Sequence, residues 1–207
     1  MAAQLDIGYI DQSPCWPTGC ESVSTVMALN YLGLDIGVEE FIERYLPRAE
    51  LVKRPSGWQG PDPRVAFVGD PHRDVGSYGC YAPVILQAVR HALTDAGSRF
   101  EGVDMTGLSL DGLCRQIDEC RPVILWATID FKDPYPGDSW QTPDGKVFTW
   151  TNNEHCLVLS GYDGQRYWCH DPWQGHGLVG CRRALLERCH AGMFSMAVGF
   201  RPAREAR

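Results

Sequence analysis

The stretch Pro17-Thr18-Gly19-Cys20-Glu21-Ser22-Val23-Ser24-Thr25-Val26-Met27 decides how this chain is read. Thr18 followed three places later by Glu21 has the form of a capping box, with Thr18 as N-cap and Glu21 in the first turn. Apolar Val23, Val26 and Met27 follow, so a helix is expected from Gly19 to about Leu32, with Gly33 as its C-terminal cap. Cys20 falls at the second helical position. Unpaired backbone N–H groups and the positive end of the helix dipole favour an anion there. A thiolate is such an anion, so the position predicts a cysteine pKa lowered from ~8.5 toward neutrality or below. The competing reading is a buried core cysteine that happens to follow a cap.

Working outward, the chain of 207 residues is long enough for one sizeable core and short for two, so a single domain spanning 1–207 is expected. With 44% hydrophobic and 22% charged residues it has the balance of a soluble globular domain. The net charge is −7 and no basic block occurs, which argues against a nucleic-acid partner. No apolar run approaches the ~18 residues of a membrane span. The N-terminal Met1-Ala2-Ala3-Gln4-Leu5-Asp6 has no basic region leading into an apolar stretch, so it does not read as a signal peptide and a cytoplasmic location is expected. There are nine cysteines, an odd number, which are read as mostly reduced. No Cys-x-x-Cys pair occurs, so structural zinc is not expected.

After the first helix, a short helix is expected over Val38–Leu46, stopped by Pro47. Residues 55–80 and 130–145 are rich in Gly and Pro and read as long loops, the first either wrapping a cleft or packing on the domain. Trp16, Trp58, Tyr78 and Trp140 are candidates to line an apolar subsite. Helices are expected from Pro83, with a stripe of Val84, Ile85, Ala88, Val89 and Ala92, and over Leu110–Glu119, with Ser109 as cap. A strand is expected at 99–105. The run Pro122–Ile129 reads as a buried central strand. Strands follow at Lys146–Trp150, His155–Tyr162 and Arg166–His170, the last two joined by an Asp163-Gly164 turn. A helix over Cys181–His190 and a strand over Phe194–Phe200 close the chain. Helices early and strands late make the class α+β.

A thiolate nucleophile needs a histidine base and a group to orient it. His155 opens an apolar strand, where a side chain can face a cleft while the strand holds it. The next strand ends at Asp171-Pro172, so a hairpin brings Asp171 to the same end as His155. His170 alternates to the opposite face. His72, His91, His176 and His190 lie on loops or helices and read as ordinary histidines. Gln12, eight residues before Cys20, is placed to supply an oxyanion donor together with the Cys20 backbone N–H. The order Cys20, His155, Asp171 matches papain-type cysteine peptidases.

Asp11-Gln12, the segment Pro17–Ser24, Gly60-Pro61-Asp62-Pro63, Gly79-Cys80-Tyr81-Ala82-Pro83, the segment Glu154–Leu159 and Asp171-Pro172 together resemble the bacterial papain-fold family related to the bacteriocin-leader (double-glycine) peptidases. The resemblance implies a papain-like fold in which an N-terminal helix bearing the nucleophile packs on a mainly antiparallel sheet. It implies Cys20 as nucleophile, His155 as general base and acid, Asp171 as orienting carboxylate and Gln12 as oxyanion donor. It implies no cofactor or metal, and a peptide or protein as substrate. Leader-processing enzymes usually carry an acidic residue before the nucleophile and Gly after it. Here Gly19 precedes and Glu21 follows, so the chain resembles a stand-alone relative. The leading expectation is a cysteine peptidase or amidase acting through a thioester. An acyl or peptidyl transferase would use the same residues, and a non-catalytic peptide-binding module would keep only the fold.

Overall fold

Every residue of the run Val123–Thr128 is buried, as a strand covered on both faces requires. The computed structural model describes residues 2–203. In chain order the elements are β1 (Ala3–Gln4), α1 (Cys20–Tyr31), α2 (Val38–Arg44), β2 (Arg48–Ala49), β3 (Val52–Arg54), β4 (Gly57–Gln59), β5 (Phe67–Val68), α3 (Ala82–Asp95), β6 (Phe100–Asp104) and α4 (Leu110–Asp118). Then come β7 (Val123–Thr128), β8 (Tyr135–Gln141), β9 (Val147–Asn152), β10 (Glu154–Tyr162), β11 (Arg166–Asp171), β12 (Gly177–Arg182), α5 (Arg183–Gly192) and β13 (Ala197–Pro202). The main sheet runs β12-β11-β10-β7-β13-β6 and is antiparallel throughout. β7 pairs with Glu154 to Leu159 of β10, and β1 continues the same pairing at Gly161 and Tyr162.

Helix α1 lies on this sheet and is itself enclosed: Cys20 through Leu29 are all buried. A helix buried all round has to satisfy most of its own polar groups; in α1 Ser22 Oγ finds no partner among the described residues. Ser24 Oγ donates to the Cys156 carbonyl of β10 at 3.0 Å, and Thr25 Oγ1 donates to the Glu21 carbonyl at 2.6 Å. Gly33, at φ +97°, takes the left-handed conformation after the helix end. Helix α3 buries the stripe Val84, Ile85, Ala88, Val89 and Ala92. Ser109 caps α4, its Oγ accepting the Gly112 N–H at 3.1 Å.

Several expectations are corrected. The Gly/Pro-rich stretches are ordered: β3, β4, β8 and β9 form a second sheet that joins them. Trp140 is buried there, packed with Tyr78, Phe148 and Trp150, and its indole N–H donates to the Pro61 carbonyl at 2.8 Å. Trp16 instead donates to Glu39 at 3.2 Å, and Trp58 lies under the Lys53 ammonium, 5.8 Å from the ring centre. The turn between β10 and β11 is centred on Gly164-Gln165, because the Asp163 carboxylate accepts the N–H groups of Gln165 and Arg166 at 2.7 and 2.8 Å. β12 extends to Arg182, so the last helix begins at Arg183 rather than Cys181. An edge strand of this kind takes its conformation from pairing with β11 rather than from its own propensity. All nine cysteines are free thiols, and among the described residues no helix is long and apolar enough to cross a membrane.

Met27 is 1% exposed, and its sulfur accepts the Ile10 N–H at 3.4 Å, tying the N-terminal segment to α1. Met27→Ala is expected to cost about 2–5 kcal/mol through the lost burial and the cavity left behind. The urea midpoint should fall with the m-value unchanged.

Candidate active site

The start of α1 is set by close packing. A Cβ on Gly19 would lie 2.8 Å from Trp16 Cβ and 3.3 Å from Pro71 Cβ, so only glycine lets the turn approach this closely. Gly19 is the N-cap and no side chain caps the helix, so the capping box suggested by Thr18 and Glu21 does not form. Thr18 Oγ1 reaches outward instead, donating to the Arg73 carbonyl at 3.0 Å and lying 3.1 Å from Ser77 Oγ. Glu21 turns inward. Its Oε1 accepts the Cys80 N–H at 2.5 Å and its Oε2 accepts the Cys20 thiol at 3.3 Å. Both pairings satisfy buried groups that the capping box would have left without partners.

Cys20 opens α1, so its backbone N–H has no carbonyl to pair with inside the helix. The expectation of a low thiol pKa is overturned. Burial pushes the Cys20 thiol well above its ordinary range, and the neighbouring charges of Glu21 and Glu154 add to this. A helix terminus contributes roughly 0.3–1 kcal/mol to an anion, too little to offset full burial beside two acids.

His155 and Asp171 meet as the hairpin predicts. His155 Nε2 lies 2.7 Å from Asp171 Oδ1, both residues being buried. This leaves Nδ1 as the ring nitrogen without a hydrogen-bond partner among the described residues. His170 does face away, with Nδ1 2.9 Å from Ser160 Oγ. His176 had read as an ordinary loop histidine, yet its Nδ1 lies 2.8 Å from Asp171 Oδ2. The signal was the tight turn Trp173–His176, closed by the His176 N–H donating to the Trp173 carbonyl at 3.0 Å, which returns the chain to the strand end. The Trp173 N–H also donates to Asp171 Oδ1 at 2.9 Å, and the Trp173 ring stands edge-on to His155 at 5.8 Å. Burial alone would raise the Asp171 carboxyl, but His155, His176 and the Trp173 N–H outweigh it and hold the group at about 2.

Gln12 is 1% exposed rather than a loop side chain open to the cleft. Its backbone N–H donates to the Pro172 carbonyl at 2.9 Å, stapling its segment to the residue after Asp171. Its Nε2 donates to the Pro17 carbonyl at 3.0 Å, which leaves a second amide hydrogen. Gln12, Cys20 and His155 line one cavity of about 290 Å³, together with Thr18, Asp74, Tyr78, Ile129, Glu154 and Trp173. Of the aromatic subsite candidates, Tyr78 alone lines it. A larger surface cavity of about 520 Å³ lies at Leu34, Arg44 and Asp95, remote from these groups.

Glu154, one residue before His155, was missed in the sequence. It is 7% exposed, and its Oε1 is buried without a hydrogen-bond partner. Donor atoms of Cys20, Glu21 and Glu154 lie within 4.8 Å of one another, the one grouping among the described residues with the donors and spacing to hold a metal ion.

A carboxylate held below its unfolded pKa of ~3.9 contributes stability that is fully present above that value and is lost as the pH falls through the folded one. Asp171, lowered to about 2, should contribute about 2 kcal/mol at neutral pH. Urea unfolding of Asp171→Asn should show a deficit of that order at pH 6, narrowing as the pH falls from about 4 toward 2. A gap that stays constant with pH would mean the carboxylate charge is not the source.

Comparison with known proteins then places the chain. The model of the Peptidase_C39 like family matches residues 4–183. The chain is 31% identical over 199 residues to the uncharacterized protein YvpB of Bacillus subtilis (strain 168), covering 95% of this chain and 75% of that protein. A crystal structure of a candidate C39-like peptidase from Bacillus anthracis superposes with a TM-score of 0.85 at 25% identity, over 99% of this chain and 100% of that one. A double glycine motif protease from an AMS/PCAT transporter, solved in complex with the leader peptide, superposes with a TM-score of 0.53 at 17% identity, over 97% of this chain and 95% of that one; this is a likeness of fold alone. With a family match across most of its length and helix α1 seated on an antiparallel sheet, the chain belongs to the Peptidase_C39 like family and has its papain-like fold.

Proposed function

We propose that the protein is a cysteine peptidase in which Cys20 is the nucleophile, His155 the general base and acid, Asp171 the carboxylate that orients His155, and Gln12 an oxyanion donor. The observation that carries this reading is the 2.7 Å contact of His155 Nε2 with Asp171, which leaves Nδ1 for Cys20 across a shared cavity. Family membership supports a peptidase, and a fold relative was solved with a leader peptide bound.

The resting thiol is neutral, so attack and deprotonation belong to one step. As Cys20 Sγ bonds to the carbonyl carbon, the thiol proton passes to His155 Nδ1. The depressed Asp171 stays ionised and stabilises the imidazolium that forms. Negative charge on the former carbonyl oxygen is met by the second amide hydrogen of Gln12 and the Cys20 backbone N–H. His155 then protonates the leaving amine, and water hydrolyses the thioester. Asp74 is the exposed acidic residue at the cavity, beside apolar Ile129, Tyr78 and Trp173. The pocket therefore suits an extended peptide without acidic side chains at the cleaved bond.

Peptide-library cleavage followed by steady-state kinetics tests this. Cys20→Ala and His155→Ala should abolish turnover, and Asp171→Asn should reduce it by less than loss of Cys20. Full turnover in Cys20→Ala would end the reading. Gln12→Ala should lower kcat by about 10²–10³-fold with little change in KM. Because Gln12 is buried and holds Pro17, the same variant should also lose about 1 kcal/mol of stability.

A further inference from the structure

Cys20 does not stand alone at its cavity. Glu21, beside it in the first turn of α1, and Glu154, at the start of β10, each bring a carboxylate to the sulfur. Donor atoms of the three lie within 4.8 Å of one another, and all three residues are buried. Buried carboxylates are ordinarily paired with a cation or bound to a metal. The partners of Glu21 are the Cys20 thiol and the Cys80 N–H. Glu154 is only 7% exposed, yet its Oε1 has no partner among the described residues. A buried acceptor without a donor is a place for a cation.

The surrounding backbone is shaped to these oxygens. A Cβ on Gly79 would lie 2.5 Å from Glu21 Oε1 and 3.3 Å from Glu154 Oε2, so glycine leaves both carboxylates their room. The Cys80 N–H holds Glu21 Oε1, and the other oxygen, Oε2, is thereby set 3.3 Å from the Cys20 sulfur. Hydrogen bonds of this kind orient the ligands of a metal. Cys20 and Glu154 also line the cavity of about 290 Å³, which gives an ion a way in. One sulfur with two carboxylates selects among metals. Mg²⁺ and Ca²⁺ take oxygen ligands, whereas Zn²⁺ accepts thiolate and carboxylate together in a tetrahedron. Bonds of ~2.3 Å to sulfur and ~2.1 Å to oxygen place such ligands about 3.6 Å apart. The Cys20 Sγ–Glu21 Oε2 separation of 3.3 Å is already close to that.

We propose that Cys20, Glu21 and Glu154 form a Zn²⁺ site that holds Cys20 in a reversible inactive state. The inactivation rests on the peptidase reading of Cys20; the metal site does not. As the zinc–sulfur bond forms, the thiol proton passes to water, and the sulfur electron pair that would attack a carbonyl carbon is held by the metal. Three protein ligands leave the fourth position to water from the cavity. A chelator that removes the zinc returns the thiol.

The test titrates the protein with Zn²⁺ against a chromogenic chelator, in the wild type, Cys20→Ala and Glu154→Gln. Glu154→Gln keeps the shape of the side chain and breaks no hydrogen bond at Oε1. The wild type should bind one Zn²⁺ per chain, and each variant should bind it about tenfold more weakly or worse. No binding by the wild type, or binding that either variant leaves unchanged, overturns the proposal. Should a variant fail to fold, X-ray absorption of the zinc-loaded wild type reads the same site. A shell of one sulfur at ~2.3 Å with oxygen neighbours at ~2.1 Å supports it; a shell without sulfur, or with several, overturns it. Turnover of a cleaved peptide should stop in saturating zinc and return with the chelator, and full turnover with zinc bound overturns the inactivation. The binding readouts need no substrate. An active peptidase that binds no zinc removes this site alone, and zinc binding by a protein without turnover removes the peptidase reading alone.

Discussion

Helix α1 has no solvent face along its first ten residues, and that enclosure sets the chemistry at its end. Cys20 is rigid because it starts a helix packed on β10, and the same burial denies its thiolate the water that would stabilise it. The dipole of α1 acts in the opposite direction but is weaker. Reactivity therefore has to come from groups brought to the sulfur by other parts of the fold: His155 from β10, Asp171 from the end of β11, Gln12 from the N-terminal segment. The Gln12–Pro172 backbone hydrogen bond and the Ile10–Met27 contact couple these pieces to one another.

Much of this was legible from residue pattern. The apolar run at Val123–Thr128, the Ser109 cap and the Pro83 helix start are local signals, and local signals survive folding. The pairing of His155 with Asp171 followed from a hairpin and strand alternation, two short-range rules whose errors do not accumulate over so few residues. A slip of one residue in the turn, from Asp163-Gly164 to Gly164-Gln165, did not disturb it.

What sequence concealed was set by contacts between distant segments. β8 contains proline and glycine and β12 two glycines, and both are strands because they pair with β9 and β11. Thr18 and Glu21 have the spacing of a capping box, but the loop around Arg73 and Ser77 claims one side chain and the Cys80 N–H the other. Glu154 stood only within the segment Glu154–Leu159 and was not read as a site residue: a glutamate at a strand start is ordinarily solvated, and only the fold shows that it is enclosed with Glu21. His176 is a local case instead: a tight turn brings it back to Asp171, five residues earlier, and that turn was the signal.

The claim that most depends on is that Cys20 carries the acyl group of the substrate during turnover. Acid-quenching the enzyme while it turns over a cleaved peptide, followed by peptide mapping, reads this directly. The account predicts the N-terminal product half joined to Cys20 through a thioester that hydroxylamine releases, and no such adduct on the other eight cysteines. Turnover with Cys20 unmodified throughout, or an adduct at another cysteine, would contradict it.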